Sequence, residues 1–329
     1  MTGTWCVGRW WLGAVVVAAA APSWAADEYK ATLEYEALAR DYKITKAFEE
    51  DADGDILKEA YVAFKDRQDD ATTGGGVLVL KMRSGALRPW ACIYLETGYP
   101  ADLTVAAGGK EWSLSVARGD RAPDDVKPLT LVVGKDVPVR GEPGDPFLGM
   151  KILASSTARS ENVDVKYLYD QDVNTGWAEG ASGTGIGESL TFEFKKAVGL
   201  GLVAMFSGKG TNPRDFRDYN RVHRAVLDIS TQSNLGDTSA NLDFADLGIT
   251  SAGNKLDVTF PNRPEFKFIK VAEPEVLKAV FRIDSVYLGD RKDDTHVSEV
   301  FFCPLLSDAE LDARYRKGKG KPADPKALP

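Results

Sequence analysis

One stretch of the chain carries residues whose types and spacing could do chemistry: Asp170-Gln171-Asp172-Val173-Asn174-Thr175-Gly176-Trp177. Hard cations such as Ca2+ take about six to eight oxygen ligands in a flexible geometry. Asp170, Asp172 and Thr175 offer side-chain oxygens within six residues, and a tight loop adds backbone carbonyls. A distant carboxylate could complete the shell. By residue type alone, an Asp-x-Asp pair also suits a solvated turn, and that is the default reading.

Other candidate motifs fail a test of context. Glu49-Glu50-Asp51-Ala52-Asp53-Gly54-Asp55-Ile56 resembles half of an EF-hand loop. With Gly54 in the sixth position, the twelfth is Ala60, where a bidentate Glu is needed, so the stretch reads as an acidic turn. Gly183-Thr184-Gly185-Ile186-Gly187 is Gly-rich but lacks the Lys-Ser/Thr of a phosphate loop and precedes a strand pattern. The two histidines, His223 and His296, have no metal-ligand or triad partner at a telling spacing, and His296 beside Asp293 and Asp294 reads as a surface turn. No G-x-S-x-G or H-E-x-x-H is present. Paired carboxylates for glycoside hydrolysis meet in space rather than in sequence, and nothing here selects a pair.

The elements that must position these residues are mostly strands. Tyr29, Leu33, Leu38 and Tyr42 recur at helical spacing, which predicts a helix within Asp27–Phe48. Short apolar or alternating runs follow at Val77–Met82, Trp90–Leu95, Trp112–Val116 and Leu129–Val133, separated by Gly and Pro as at Gly74-Gly75-Gly76. Three prolines and two glycines fall within the nine residues Pro138–Pro146. Proline fixes φ and has no N–H to donate, so this segment cannot continue a sheet. Beyond it, strands are expected at Leu190–Phe194, Leu200–Phe206, Ala225–Thr231, Lys255–Phe260, Phe266–Val271, Val280–Leu288 and Val297–Phe302, a pattern of sandwich or barrel type.

Composition bounds the rest. The chain has 329 residues, enough for about two domains, and a formal charge of −8, which argues against a nucleic-acid partner. Arg9, the uncharged run Trp10–Ala21 and small residues at Ser23 and Ala25 read as a signal peptide cleaved after Ala25. An uncleaved anchor is the alternative, but the run falls short of the roughly 20 residues a span needs. Cys92 and Cys303 could pair in an oxidising compartment or remain buried thiols. The basic end, with Arg314, Arg316, Lys317, Lys319 and Lys321, reads as a solvated tail. The expected organisation is therefore a signal peptide (1–25), a strand-rich domain with an N-terminal helix (26–136), a Pro/Gly linker (137–147), a β-sandwich domain (148–306) and a basic tail (307–329).

Ala154-Ser155-Ser156, the Asp170–Trp177 segment, Val286-Tyr287-Leu288-Gly289 and Asp294–Phe302 occur in an order that resembles the discoidin, or coagulation factor 5/8 C-type, galactose-binding-like family. Trp177-Ala178-Glu179-Gly180, the glycines at 183–187, Ser207-Gly208-Lys209 and Tyr219-Asn220-Arg221 are similar to its NADase-type glycan-binding variant. The resemblance covers about residues 150–303. It implies a jelly-roll β-sandwich and a structural Ca2+ held by Asp170, Asp172, Thr175 and Glu299. The family's Asp-Gly-Asp is Asp170-Gln171-Asp172 here, and Gln does not share glycine's backbone freedom. The NAD-cleaving activity of such proteins belongs to a separate catalytic domain, which residues 26–147 do not resemble.

The expected function is that of an exported, non-catalytic protein of the periplasm or cell exterior that binds a glycan or cell-surface component. Aromatic faces stack on sugar rings and Arg, Lys or Asn bond hydroxyls, which makes Trp177, Lys209, Arg214, Tyr219 and Arg221 the candidate contacts; a core Trp177 and an ion-paired Arg221 are the plain alternatives. Two other readings stand beside this one: a structural or protein-interaction protein of the cell envelope, and an enzyme with an unrecognised catalytic first domain.

Overall fold

The computed structural model describes residues 36–67, 74–83, 86–96, 98, 100–106, 112–118, 128–210, 212–235 and 254–311. The expected signal peptide at 1–25 and residues 312–329 of the basic end lie outside them. The architecture is mainly β, as the alternating runs predict.

The first correction comes at once. Residues 36–41 are helical, but the helix does not continue to Phe48; Tyr42–Glu50 is strand β1. It pairs antiparallel with β2, Glu59–Asp66. The helical spacing of Leu38 and Tyr42 is real in one sense, since both are buried. They lie on either side of a helix-to-strand junction, and ladder pairing overrides the local period.

Strands β2, β3 (Gly75–Arg83) and β4 (Ala86–Leu95) continue the antiparallel run. β2 is buried at every position because both faces are covered. On one face Tyr61, Ala63, Val77 and Ile93 meet Leu103, Trp112, Leu114 and Leu131 from a separate sheet. That sheet consists of β5 (Pro100–Ala106), β6 (Ser113–Arg118) and β7 (Leu129–Val132). On the other face Ala60, Val62, Phe64 and Leu78 meet Leu202, Phe206, Phe266 and Phe301 from the second half. Gly76 lies inside β3 rather than in a turn, for want of space: a Cβ there would come 2.4 Å from the Ile93 carbonyl oxygen.

The second half supplies β8 (Lys151–Ala154), β9 (Trp177–Ala178), β10 (Ser189–Ser207), β11 (Asn220–Thr231), β12 (Asn254–Thr259), β13 (Phe266–Tyr287) and β14 (Thr295–Leu306). The runs Leu190–Phe194 and Leu200–Phe206 are one strand, with irregular register between Glu193 and Leu202. Phe266–Val271 and Val280–Leu288 likewise belong largely to one long strand. Positive φ at Ala272 and Glu275 marks the irregularity between them, which bends the strand without ending it. Along β10, Val203 and Met205 face the sandwich core while Leu202, Ala204 and Phe206 face the first half, the period of two that a doubly covered strand requires.

The two halves share one sheet. Its order is β1-β2-β3-β4-β14-β10-β13-β11-β12, joined where β14 runs parallel to β4 through Leu305–Tyr94 and Leu306–Leu95. A disulfide between Cys92 and Cys303 crosses the same join, which settles the cysteines in favour of pairing. Residues 137–147 make turns and isolated bridges, as their prolines require, and are packed: Val137, Val139, Arg140 and Phe147 are all buried.

The disulfide closes a loop of 211 residues. Replacing both cysteines with Ala should lower the unfolding free energy by roughly 2–4 kcal/mol. Urea melts with and without reductant test this: reductant should weaken the wild type and leave the double variant unchanged.

Candidate functional site

The Asp170 loop leaves a short 3-10 helix, Val165–Tyr169, whose N-cap Asp164 accepts from the Lys166 N–H. Asp170 Oδ1 accepts from the Asp172 N–H at 2.9 Å, and Thr175 Oγ1 lies 2.8 Å from both Asp170 Oδ2 and the Asp172 carbonyl oxygen. Asp172 Oδ1 accepts from the backbone and side-chain N–H groups of Asn174. Gln171 adopts φ 69°, the strained position that glycine fills in the family pattern. Gly176 (φ 147°) is required, because a Cβ would sit 2.5 Å from Ser298 Cα. Burial holds the Asp170 carboxyl above the usual range, and its N–H and O–H bonds work against that.

Glu299 lies close enough to this loop for the Asp170 charge to act on it, but it does not form a three-acid cluster with Asp170 and Asp172. Among the described residues, the acidic group whose oxygens gather within 4.8 Å of one another is Asp51, Asp53 and Glu59, and Asp170, Asp172 and Glu299 do not gather in that way. Glu299 is fully buried on β14 and paired with the Arg140 guanidinium. Arg140 also donates to the Val300 carbonyl at 2.9 Å and stacks 4.0 Å over the Tyr169 ring. Burial pushes the Glu299 carboxyl up to about 7, with Arg140 pulling it back and the nearby Asp170 charge adding to the rise. Of the oxygen set implied by the resemblance, Glu299 already has a side-chain cation in Arg140.

The Asp51 group is also served by a side-chain cation. Lys81 pairs with Asp53, with Asp55 at 2.8 Å and with Glu59 at 3.2 Å, and lies 5.2 Å from the Trp90 ring centroid. Burial works against the Lys81 charge, but its bonds to Asp53, Asp55 and Glu59 prevail and raise its pKa. Asp51 accepts from the Gly54 and Ile56 N–H groups. The acidic turn is a closed hairpin loop between β1 and β2.

Two of the five candidate ligand contacts are structural. Trp177 has no exposed surface, lies in the sandwich core and donates its indole N–H to the Ser156 carbonyl at 2.8 Å. Arg221 is buried and donates to Asn262 Oδ1 and to the carbonyls of Phe216 and Tyr219. It fastens the short helix Pro213–Asp218 and the turn after it, which explains why it cannot reach out to a sugar.

The structure brings the other candidates towards one end of the sandwich. Lys209 Nζ lies 3.3 Å from the Tyr219 hydroxyl and 4.6 Å from its ring centroid. Arg214 is exposed on the Pro213–Asp218 helix, capped by Asn212. Asn174 is exposed and borders Gly210, whose N–H donates to the Val173 carbonyl. Asn174 and Asn212 were missed as candidate contacts. The signal for Asn212 was available, since Asn before Pro is a helix start.

His296 is not on a surface turn. It is buried on β14, with the Tyr219 ring edge-on at 4.4 Å. Burial, with help from the Lys209 charge, drops its pKa to about 3. A His depressed in the folded state stabilises fully above its unfolded pKa and loses that contribution as pH falls towards the folded value. Stability should therefore decline between roughly pH 6.5 and 3 by up to about 1.4 kcal/mol per pH unit from this group. The difference between wild type and His296→Gln in urea melts at a series of pH values should show that slope, and parallel curves would remove the assignment.

Residues 148–303 match the family model of the NAD glycohydrolase translocation F5/8 type C domain. No curated protein matches the chain. Among solved structures, the chain is similar to the arabinofuranosyltransferase AftD from Mycobacteria (12% identity, 46% of this chain and 11% of that one, TM-score 0.34). It is also similar to the CBM32-1 and CBM32-2 domains of ZmpB from Clostridium perfringens (15%, 48% and 35%, TM-score 0.33) and to a putative chitobiase fragment from Bacteroides thetaiotaomicron (13%, 49% and 91%, TM-score 0.37). The chain thus spans about a tenth of the first and a third of the second. These TM-scores are too low to carry an argument, and the assignment rests on the family match together with the strand topology. Residues 148–303 are a discoidin-type domain of the NAD glycohydrolase translocation F5/8 type C family.

Proposed function

We propose that the chain is an exported, non-catalytic binding protein that recognises a glycan or another cell-surface component through this domain. The observation that carries the reading is the Lys209–Tyr219 pair, with exposed Asn174, Asn212 and Arg214 in the neighbouring loops. A phenol ring, an amine, a guanidinium and two amides on rigid loop ends suit a polyhydroxylated ligand: the ring offers an apolar face, and the polar groups bond hydroxyls. Arg221 and Trp177 support those loops from beneath. The buried disulfide fits an oxidising compartment and agrees with the export segment read at residues 1–25. Both histidines have structural surroundings, His223 beside Ser285 and Tyr287 and His296 beneath Tyr219, so neither is placed for acid–base work at an open site.

A glycan array probed with the full chain tests the reading. Lys209→Ala and Tyr219→Ala should each weaken binding about tenfold or more, with circular dichroism unchanged. Binding that is absent across the array, or indifferent to both changes, would overturn it. A second reading is protein interaction in the cell envelope, with the sandwich as a scaffold and the first half as the working part. It predicts a protein partner whose binding survives both substitutions.

A further inference from the structure

We infer that Arg140, and not a calcium ion, supplies the positive charge beside Glu299, so that the domain is held together by a cation from the segment preceding it. Three observations carry this. First, the oxygens of Asp170, Asp172 and Glu299 do not all come within 4.8 Å of one another, and three of the four carboxylate oxygens of the loop already accept hydrogen bonds. Both oxygens of Asp170 accept hydrogen bonds, and Asp172 accepts two from Asn174. Second, the Arg140 guanidinium lies against the neighbours of those expected ligands. It stacks over Tyr169, the residue before Asp170, and bonds the carbonyl of Val300, the residue after Glu299, while pairing with Glu299 itself. A divalent ion placed there would meet a like charge that is 4% exposed and cannot withdraw to solvent. Third, Arg140 is fixed from its own side. Asp145 accepts from the Gly141 N–H at 2.8 Å and from the Tyr169 hydroxyl at 3.1 Å, and Phe147 packs 5.2 Å from Phe302. Residues 140–147 are thus a strap across the end of the sandwich, with the guanidinium as its fastening.

Thermal melts of the full chain in millimolar calcium chloride or in EDTA test the inference, using wild type, Asp172→Ala, Arg140→Met and Arg140→Met/Glu299→Met. Removing one partner of a buried ion pair leaves the other uncompensated, whereas replacing both can be close to neutral. Glu299 Oε2 has no hydrogen-bond partner to fall back on. The expected result is a Tm loss on the order of 5–10 °C for Arg140→Met and partial recovery in the double variant. Calcium should shift wild type and Asp172→Ala equally, including not at all. The inference is overturned if calcium raises the Tm of the wild type by several degrees more than that of Asp172→Ala, or if Arg140→Met melts with the wild type. Should Arg140→Met fail to fold, the calcium comparison and the double variant still decide: a double variant that also fails to fold counts against the pair.

Discussion

The burial of strand β14 on both faces is the constraint on which the sandwich and its loop end depend. Eleven of its twelve residues are buried, because the sandwich core lies on one side and the first half of the chain on the other. A polar side chain in such a strand costs free energy unless it finds a partner. Those here meet partners at places that matter, although Glu299 keeps one oxygen, Oε2, without a hydrogen bond. Glu299 takes Arg140, the Ser298 hydroxyl donates to the Gly208 carbonyl, Thr295 donates to the Thr184 carbonyl and His296 lies beneath Tyr219. Through these contacts a single strand organises the strap, the loop after β10 and the ring beside Lys209.

This explains why the molecule combines a rigid scaffold with an exposed loop end. Lys209 follows Ser207-Gly208, and Gly208 is so crowded by Phe216 and Arg221 that a Cβ would sit 2.6 Å from the phenyl ring. Arg221 ties the carbonyls of Phe216 and Tyr219 together. The loop side chains therefore start from fixed backbone positions, which reduces the ordering cost of taking up a ligand. The same packing commits Trp177 and Arg221 to the interior.

Much of the architecture was legible in the sequence because alternation and punctuation report local geometry directly. The strands of the second half and the Pro-rich turn at 138–146 could be read in that way. What could not be read depends on contacts between distant residues. Nothing near Tyr42 announces that it pairs across to Asp66, so the helical spacing ran on too far. Nothing near Glu299 announces an Arg 159 positions earlier. A motif fixes residue types at a loop but not the charge that reaches them from elsewhere, and so the oxygen-rich segment suggested an ion whose place Arg140 contests. The exposure of Trp177 was undetermined for a related reason, since a tryptophan serves a core and a sugar face equally well.

The join between β4 and β14 bears on how the chain comes to be folded. β4 ends at Leu95, and its parallel neighbour begins at Thr295. A chain that emerges from its N-terminus presents β1–β4 long before β14 exists, with one edge unpaired and the apolar face of Phe64, Leu78 and Tyr94 uncovered. Cys92 meanwhile carries a free thiol with no partner yet made. Pairings of such long sequence separation form slowly, and open edges attract other chains while they wait. Shielding of this face until β14 arrives, and closure of the disulfide only after it, are what the topology asks of its surroundings.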